Sequence, residues 1–138
     1  PLLDESFFVL YGDSFLPISY WPIEEEFRRC KKAALMTILK NSDQWDKSNV
    51  SFSNGELIKY NKECPLPEMD YIDYGLGILS KALFDSYEEG INFDLSELYQ
   101  NLSNQSQLQG YIVNQRFFEI GSYKGLKETE NFFKLKSK

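Results

Sequence analysis

Ser6-Phe7-Phe8-Val9-Leu10-Tyr11-Gly12-Asp13 is the stretch from which the architecture is read. It is a short, almost continuous apolar run closed by a Gly-Asp turn, the pattern of a strand buried on both faces in a sheet covered by helices. Downstream, Pro22 stands where a first helical turn tolerates it. Glu24, Glu25 and Glu26 follow, and Ile23, Phe27 and Cys30 recur at i, i+4 and i+7, so an amphipathic helix is expected. Its basic end, Arg28-Arg29-Cys30-Lys31-Lys32, complements the helix dipole. Ala34 to Leu39 reads as a second buried strand, followed by a polar loop from Asn41 to Asn49.

Val50 to Tyr60 carries Asn54-Gly55 between two apolar runs, which predicts a hairpin closed by a type I′ turn. After Pro65-Leu66-Pro67, Tyr71 to Leu79 predicts another strand, and Gly75 and Gly77 within it mark close approach by other groups. Asp94-Leu95-Ser96-Glu97 opens a helix with Leu95, Leu98, Tyr99 and Leu102 on its apolar face. Tyr111 to Ile120 predicts a final strand region, and Ser122 caps a closing helix through Phe133. Strands interleaved with helices make an α/β sandwich with the hairpin as an antiparallel addition. Phe7, Phe8, Phe117, Phe118, Phe132 and Phe133 are assigned to packing.

Composition sets the limits. With 138 residues, 42% hydrophobic and 16% aromatic, the chain can bury one core, and disorder is excluded. No apolar run reaches membrane-span length, and Pro1-Leu2-Leu3-Asp4-Glu5 lacks the form of a signal peptide, so a cytoplasmic protein without membrane contact is expected. Pro1 in place of an initiator Met suggests a piece of something longer. Cys30 and Cys64 are read as free thiols. The chain has no His, so catalysis must use carboxylates, Lys, Tyr or a metal on oxygen ligands. A net charge of −6 argues against nucleic acid.

Three motifs in order carry a resemblance over nearly the whole chain. Phe7 to Ser14 resembles the strand and metal-binding turn of the sugar-1-phosphate nucleotidyltransferases. Tyr71-Ile72-Asp73-Tyr74-Gly75-Leu76 is similar to that family's sugar-facing strand, and Arg116 to Ser122, running on to Gly125-Leu126, resembles its late W-x-D-x-G-T motif. The wording is closest to the subgroup that makes nucleotide sugars from mannose, glucose or heptose 1-phosphates for cell-surface polysaccharides, including guanylyltransferases and lipopolysaccharide enzymes. The resemblance implies an incomplete Rossmann-like, mixed-sheet (GT-A-like) sandwich, with residues 1–138 forming the C-terminal part of one nucleotidyltransferase domain. The family's Gly-rich loop, G-G-x-G-T-R-L, has no counterpart in these residues.

The implied chemistry is attack of a sugar phosphate oxygen on the α-phosphorus of a nucleoside triphosphate, with release of pyrophosphate. Mg²⁺ screens the phosphates in such a reaction. The resemblance makes Asp13 and Glu119 the metal ligands, Glu119 standing where the family has Asp, and two converging carboxylates should repel each other until metal arrives. It makes Lys62, Asp73 and Gly75 the substrate-binding residues, although Asn61 and Glu63 depart from the family's E-K-P segment around Lys62. Beside these stand plainer readings: a turn residue for Asp13, an outward strand position for Glu119, a polar strand face for Asp73 and a solvated Lys62. For the whole chain the alternative is a non-catalytic sugar-phosphate-binding or regulatory domain. The nucleotide side must come from an N-terminal segment or another chain, and an uncovered early strand should favour association, homo-oligomers included.

Overall fold

A computed structural model describes residues 4–42, 44–85, 90 and 92–137. Pro1 to Leu3, which bore on the reading of the chain's start, lie outside them. The elements run β1 (Ser6–Leu10), β2 (Ser14–Phe15), α1 (Trp21–Cys30), β3 (Ala34–Lys40), β4 (Val50–Ser53), β5 (Glu56–Tyr60), β6 (Tyr71–Ser80), a short 3₁₀ turn (Lys81–Phe84), α2 (Leu95–Asn104), β7 (Leu108–Val113), β8 (Phe118–Glu119) and α3 (Tyr123–Lys136). One sheet has the order β5-β4-β6-β3-β7 with β1 also on β6, and β2 pairs with β8 in a separate ribbon. The result is a mixed α/β fold, as expected.

The locally determined elements follow the sequence closely. Pro22 sits in the first turn of α1 and Ile23 and Phe27 are buried. Asn54 and Gly55 have φ of 52° and 80°, the two left-handed residues that a type I′ turn between β4 and β5 requires. Asp94 accepts from the Ser96 amide at 2.7 Å and so caps α2, while Ser122 accepts from the Gly125 amide at 3.0 Å and caps α3. The closing helix runs to Lys136, past the expected Phe133.

Two expectations need correction. Ser6 to Tyr11 is neither buried on both faces nor bound to a parallel neighbour. β1 runs antiparallel to β6, from Ser6 opposite Ser80 to Leu10 opposite Leu76, and among the described residues no strand pairs with its other edge. Phe8 and Leu10 are therefore 39% and 48% exposed, and Asp13 follows an antiparallel edge strand. The predicted strand from Tyr111 to Ile120 is two strands in two sheets. β7 starts earlier, at Leu108, and pairs parallel with β3, whereas β8 pairs antiparallel with β2. Of the six phenylalanines assigned to packing, Phe118 is buried, while Phe8 and Phe133 are exposed on one side and pack against the rings of Tyr20 and Phe15.

β6 divides the two cores. On one face Met36, Ile38, Leu57, Tyr60, Leu79, Tyr99 and Leu102 pack under α2 and the β4-β5 hairpin. On the other, Ile23, Phe27, Leu35, Leu39, Ile72, Tyr74 and Leu76 pack under α1. The ladder between β3 and β6 breaks in the middle, where Thr37 alone, between Met36 and Ile38, faces Tyr74, Gly75 and Leu76. This bulge places Gly75 at φ 91°, and the buried Thr37 hydroxyl donates to the Leu76 carbonyl at 2.6 Å.

The two glycines of β6 are the approach points that the sequence marks. A Cβ on Gly75 would stand 2.9 Å from Cδ2 of Tyr11, and one on Gly77 would overlap the Tyr99 hydroxyl and lie 3.0 Å from the Leu35 carbonyl oxygen. Tyr99 is buried and cannot swing aside. Gly77→Ala should therefore lower the unfolding free energy by about 2 kcal/mol. In a Tyr99→Phe background the same change should cost less, because the phenolic oxygen is gone. Urea unfolding of the four chains measures both effects.

Candidate functional site

The ends of β1 and β6 bring the candidate residues together. Immediately after β1, the Tyr11 amide donates to the Gly75 carbonyl at 3.0 Å, and the Tyr11 hydroxyl donates to Asp73 Oδ2 at 2.5 Å. The other carboxylate oxygen, Oδ1, accepts from the Gly75 amide at 2.9 Å. The Asp73 amide in turn donates to Asn49 Oδ1 at 3.0 Å. Asp73 is thus held by β1, by the loop before β4 and by its own bulge.

Burial raises the pKa of Asp73, and the Tyr11 hydroxyl, the Gly75 amide and the nearby Lys62 ammonium work against that rise. Lys62 belongs to a turn in which Asn61 Oδ1 accepts from the amides of Glu63 and Cys64, and its side chain is exposed. Lys62, Asp73 and Gly75 therefore lie in one neighbourhood. The hydroxyls of Tyr11, Tyr60 and Tyr99 titrate above the normal phenol range, first through burial and then through the Asp73 charge.

Two residues beyond Tyr11, Asp13 meets Glu119. The β2-β8 ribbon sets Ser14 opposite Glu119, and the Ile120 amide donates to the Asp13 carbonyl at 2.7 Å. Glu119 is oriented from below, since Ser122 Oγ donates to its Oε2 at 2.8 Å. Gly125 lets the first turn of α3 lie directly on the strand, because a Cβ there would overlap the Glu119 carbonyl. Between the two carboxylates is Gly121. A Cβ at that position would stand 2.7 Å from Glu119 Oε1 and 3.8 Å from Asp13 Oδ2. The missing side chain keeps open a notch that both carboxylates border.

Among the described residues no cluster of three or more His, Cys, Asp or Glu forms. Two carboxylates around an open notch are the donor set of a hard cation that keeps water and phosphate oxygens as its remaining ligands. Those residues fit Mg²⁺ in kind and number. Glu119, Ser122, Phe117, Trp45, Arg116 and Lys124 line an adjoining cleft of about 570 Å³. Trp45 and Phe117 pack ring to ring at 6.1 Å, and Arg116 pairs with Glu128 at 2.7 Å while lying over Phe118.

Sequence reasoning did not single out Tyr11, Trp45 or Gly121 for the site, and it marked Ser122 only as the cap of the closing helix. Tyr11 counted only as the last apolar residue of a strand, although a phenol directly before a Gly-Asp turn is a polar handle at a strand end. Gly75 signalled that something approaches it. What approaches, Tyr11, is known only from the pairing of β1 with β6.

No protein-family model and no curated protein matches the chain. Solved structures do. The Bacillus anthracis protein assigned as a glucose-1-phosphate thymidylyltransferase, solved with sucrose, superposes over 93% of this chain with a TM-score of 0.76 and 15% identity. The inositol-1-phosphate CTP transferase of T. maritima superposes over 94% with a TM-score of 0.67 and 20% identity. The fold of this chain is the one those two nucleotidyltransferases share. The chain spans 54% of the length of each.

The raised Asp73 pKa has a signed consequence. Between the ordinary carboxylate value of 3.8 and the raised one, the folded chain binds the proton more tightly than the unfolded chain. Stability attributable to Asp73 is thus greatest at low pH and falls as pH rises through that window. The unfolding free energy of the parent chain relative to Asp73→Asn should decline across it and level off above it. Urea unfolding at a series of pH values reads the slope.

Proposed function

We propose that this chain carries the metal side and the sugar-phosphate side of a sugar-1-phosphate nucleotidyltransferase site. Asp13 and Glu119 hold Mg²⁺, and Lys62, Asp73 and Gly75 receive a hexose or heptose 1-phosphate. The observation that carries this reading is the convergence of Asp13 and Glu119 on the open notch at Gly121. Asp13, on the border of that notch, lies two residues from a tyrosine bonded to Asp73. The shared fold of two nucleotidyltransferases supports it.

The roles follow from the groups themselves. Lys62 offers an exposed ammonium to the sugar phosphate, and the Asp73 carboxylate accepts hydrogen bonds from sugar hydroxyls. Bound Mg²⁺ would neutralise charge on the reacting phosphates. Glu119 is aimed by Ser122, and the main-chain bond from the Ile120 amide fixes the backbone from which Asp13 extends its carboxylate. A Gly-rich loop on another segment or chain supplies the triphosphate's cradle, so the 138-residue chain alone should make no nucleotide sugar. The exposed β1 edge, with Phe8 and Leu10 beside it, is where such a segment would add to the sheet. The subgroup reading places the product in polysaccharide synthesis in the cytoplasm.

Mn²⁺ as a paramagnetic stand-in for Mg²⁺ tests the metal assignment without catalysis. Its addition should broaden the amide resonances of Asp13, Glu119 and Gly121 first. Asp13→Asn should weaken this binding about tenfold or more, and Gly121→Ala should weaken it by closing the notch, with unfolding nearly unchanged in Asp13→Asn. Selective broadening elsewhere, or equal affinity in Asp13→Asn, removes the metal site. Nucleotide-sugar formation by the isolated chain would overturn the division of labour.

A further inference from the structure

The candidate sugar-side residues do not include the group that holds two of them, Asp73 and Gly75. Tyr11 touches β6 in three ways. Its amide donates to the Gly75 carbonyl, its ring lies where a Gly75 side chain would stand, and its hydroxyl donates to Asp73 Oδ2 at 2.5 Å. The left-handed φ of 91° at Gly75 is what lets the bulge present its carbonyl to Tyr11 and its amide to Asp73 Oδ1 at once. Both carboxylate oxygens are thereby engaged from fixed directions. A carboxylate has about four lone-pair positions, and two remain to accept from a ligand.

We propose that Tyr11 is a positioning residue for substrate recognition: through its hydroxyl it locks the Asp73 carboxylate in the one orientation in which the free lone pairs face the incoming sugar hydroxyls. The proposal rests on the sugar-phosphate reading of this site and adds a residue to it. Tyr11 makes no contact with the reacting phosphates in this account. Its effect passes entirely through Asp73, and its place two residues before Asp13 couples the sugar-binding carboxylate to the strand end that leads into the metal notch. The site thus selects ligands that donate a hydroxyl, since an acceptor-only group held rigidly offers nothing to a position lacking an O–H.

Four chains test this: the parent, Tyr11→Phe, Asp73→Asn and the double variant. Tyr11→Phe keeps the ring over Gly75 and removes only the oxygen. Calorimetric titration with glucose 1-phosphate, repeated with mannose 1-phosphate, reads ligand affinity, and urea unfolding reads the Tyr11–Asp73 coupling without any ligand. Tyr11→Phe is expected to weaken sugar-phosphate binding about tenfold, as loss of a hydrogen bond to a charged group predicts. Asp73→Asn is expected to weaken it at least as much, and the double variant to bind like Asp73→Asn alone, because the tyrosine has nothing left to position.

Additive losses would overturn the proposal by showing that Tyr11 acts independently of Asp73. Unchanged affinity in Tyr11→Phe alongside a measurable unfolding coupling would overturn it by reducing the bond to structure. If the parent chain binds neither sugar phosphate, the functional reading fails and the proposal with it. The unfolding cycle then still reports whether the clamp exists.

Discussion

The rest of the structure hangs on the bulge in β6 and on the hydrogen bond that closes it. One buried threonine hydroxyl, that of Thr37, donates to the Leu76 carbonyl and occupies the gap that three residues of β6 leave opposite one residue of β3. A regular ladder would send Tyr71, Asp73, Gly75 and Gly77 to the same face in even steps. The bulge breaks that repeat and turns the Gly75 carbonyl towards β1 and the Gly75 amide towards Asp73. Without it, Tyr11 and Asp73 have no reason to meet, and the candidate site has no sugar side.

The proposed metal side is built by a different device. Two residues on each strand, Ser14-Phe15 and Phe118-Glu119, form a ribbon too short to be stable by itself. It persists because both of its ends are tied down. Phe15 packs among Phe118, Phe132 and Phe133, and α3 presses onto Glu119 through the side-chain-free Gly125. The packing of α3 thereby keeps Glu119 opposite Ser14 and beside Asp13.

Local chemistry was legible, and long-range pairing was not. The proline in the first turn of α1, the Asn54-Gly55 turn and the Asp94 and Ser122 caps act within a few residues, and each appears where the sequence puts it. The position of β1 depends on residues some seventy positions later. An apolar run reads alike whether it is central or at an edge, so its partner, direction and exposure stayed hidden. β8 was hidden for the same reason, merged with β7 until the structure assigned them to different sheets. The candidate site followed that division. Asp13, Glu119, Lys62, Asp73 and Gly75 were named through resemblance to a family, whereas Tyr11 matters through its contact with β6 and Gly121 through the approach of Asp13 to Glu119.

The placement of β1 also bears on how the chain is made. Phe8 finds its partner in Ile78, so a growing chain carries this apolar strand unpaired until β6 has cleared the ribosome. At ordinary elongation rates that wait is on the order of ten seconds, long compared with hydrophobic collapse. The interval is long enough for a nascent-chain chaperone to engage Phe7 to Leu10. Synthesis of this protein should therefore be more sensitive to chaperone supply than the folded molecule's stability would suggest.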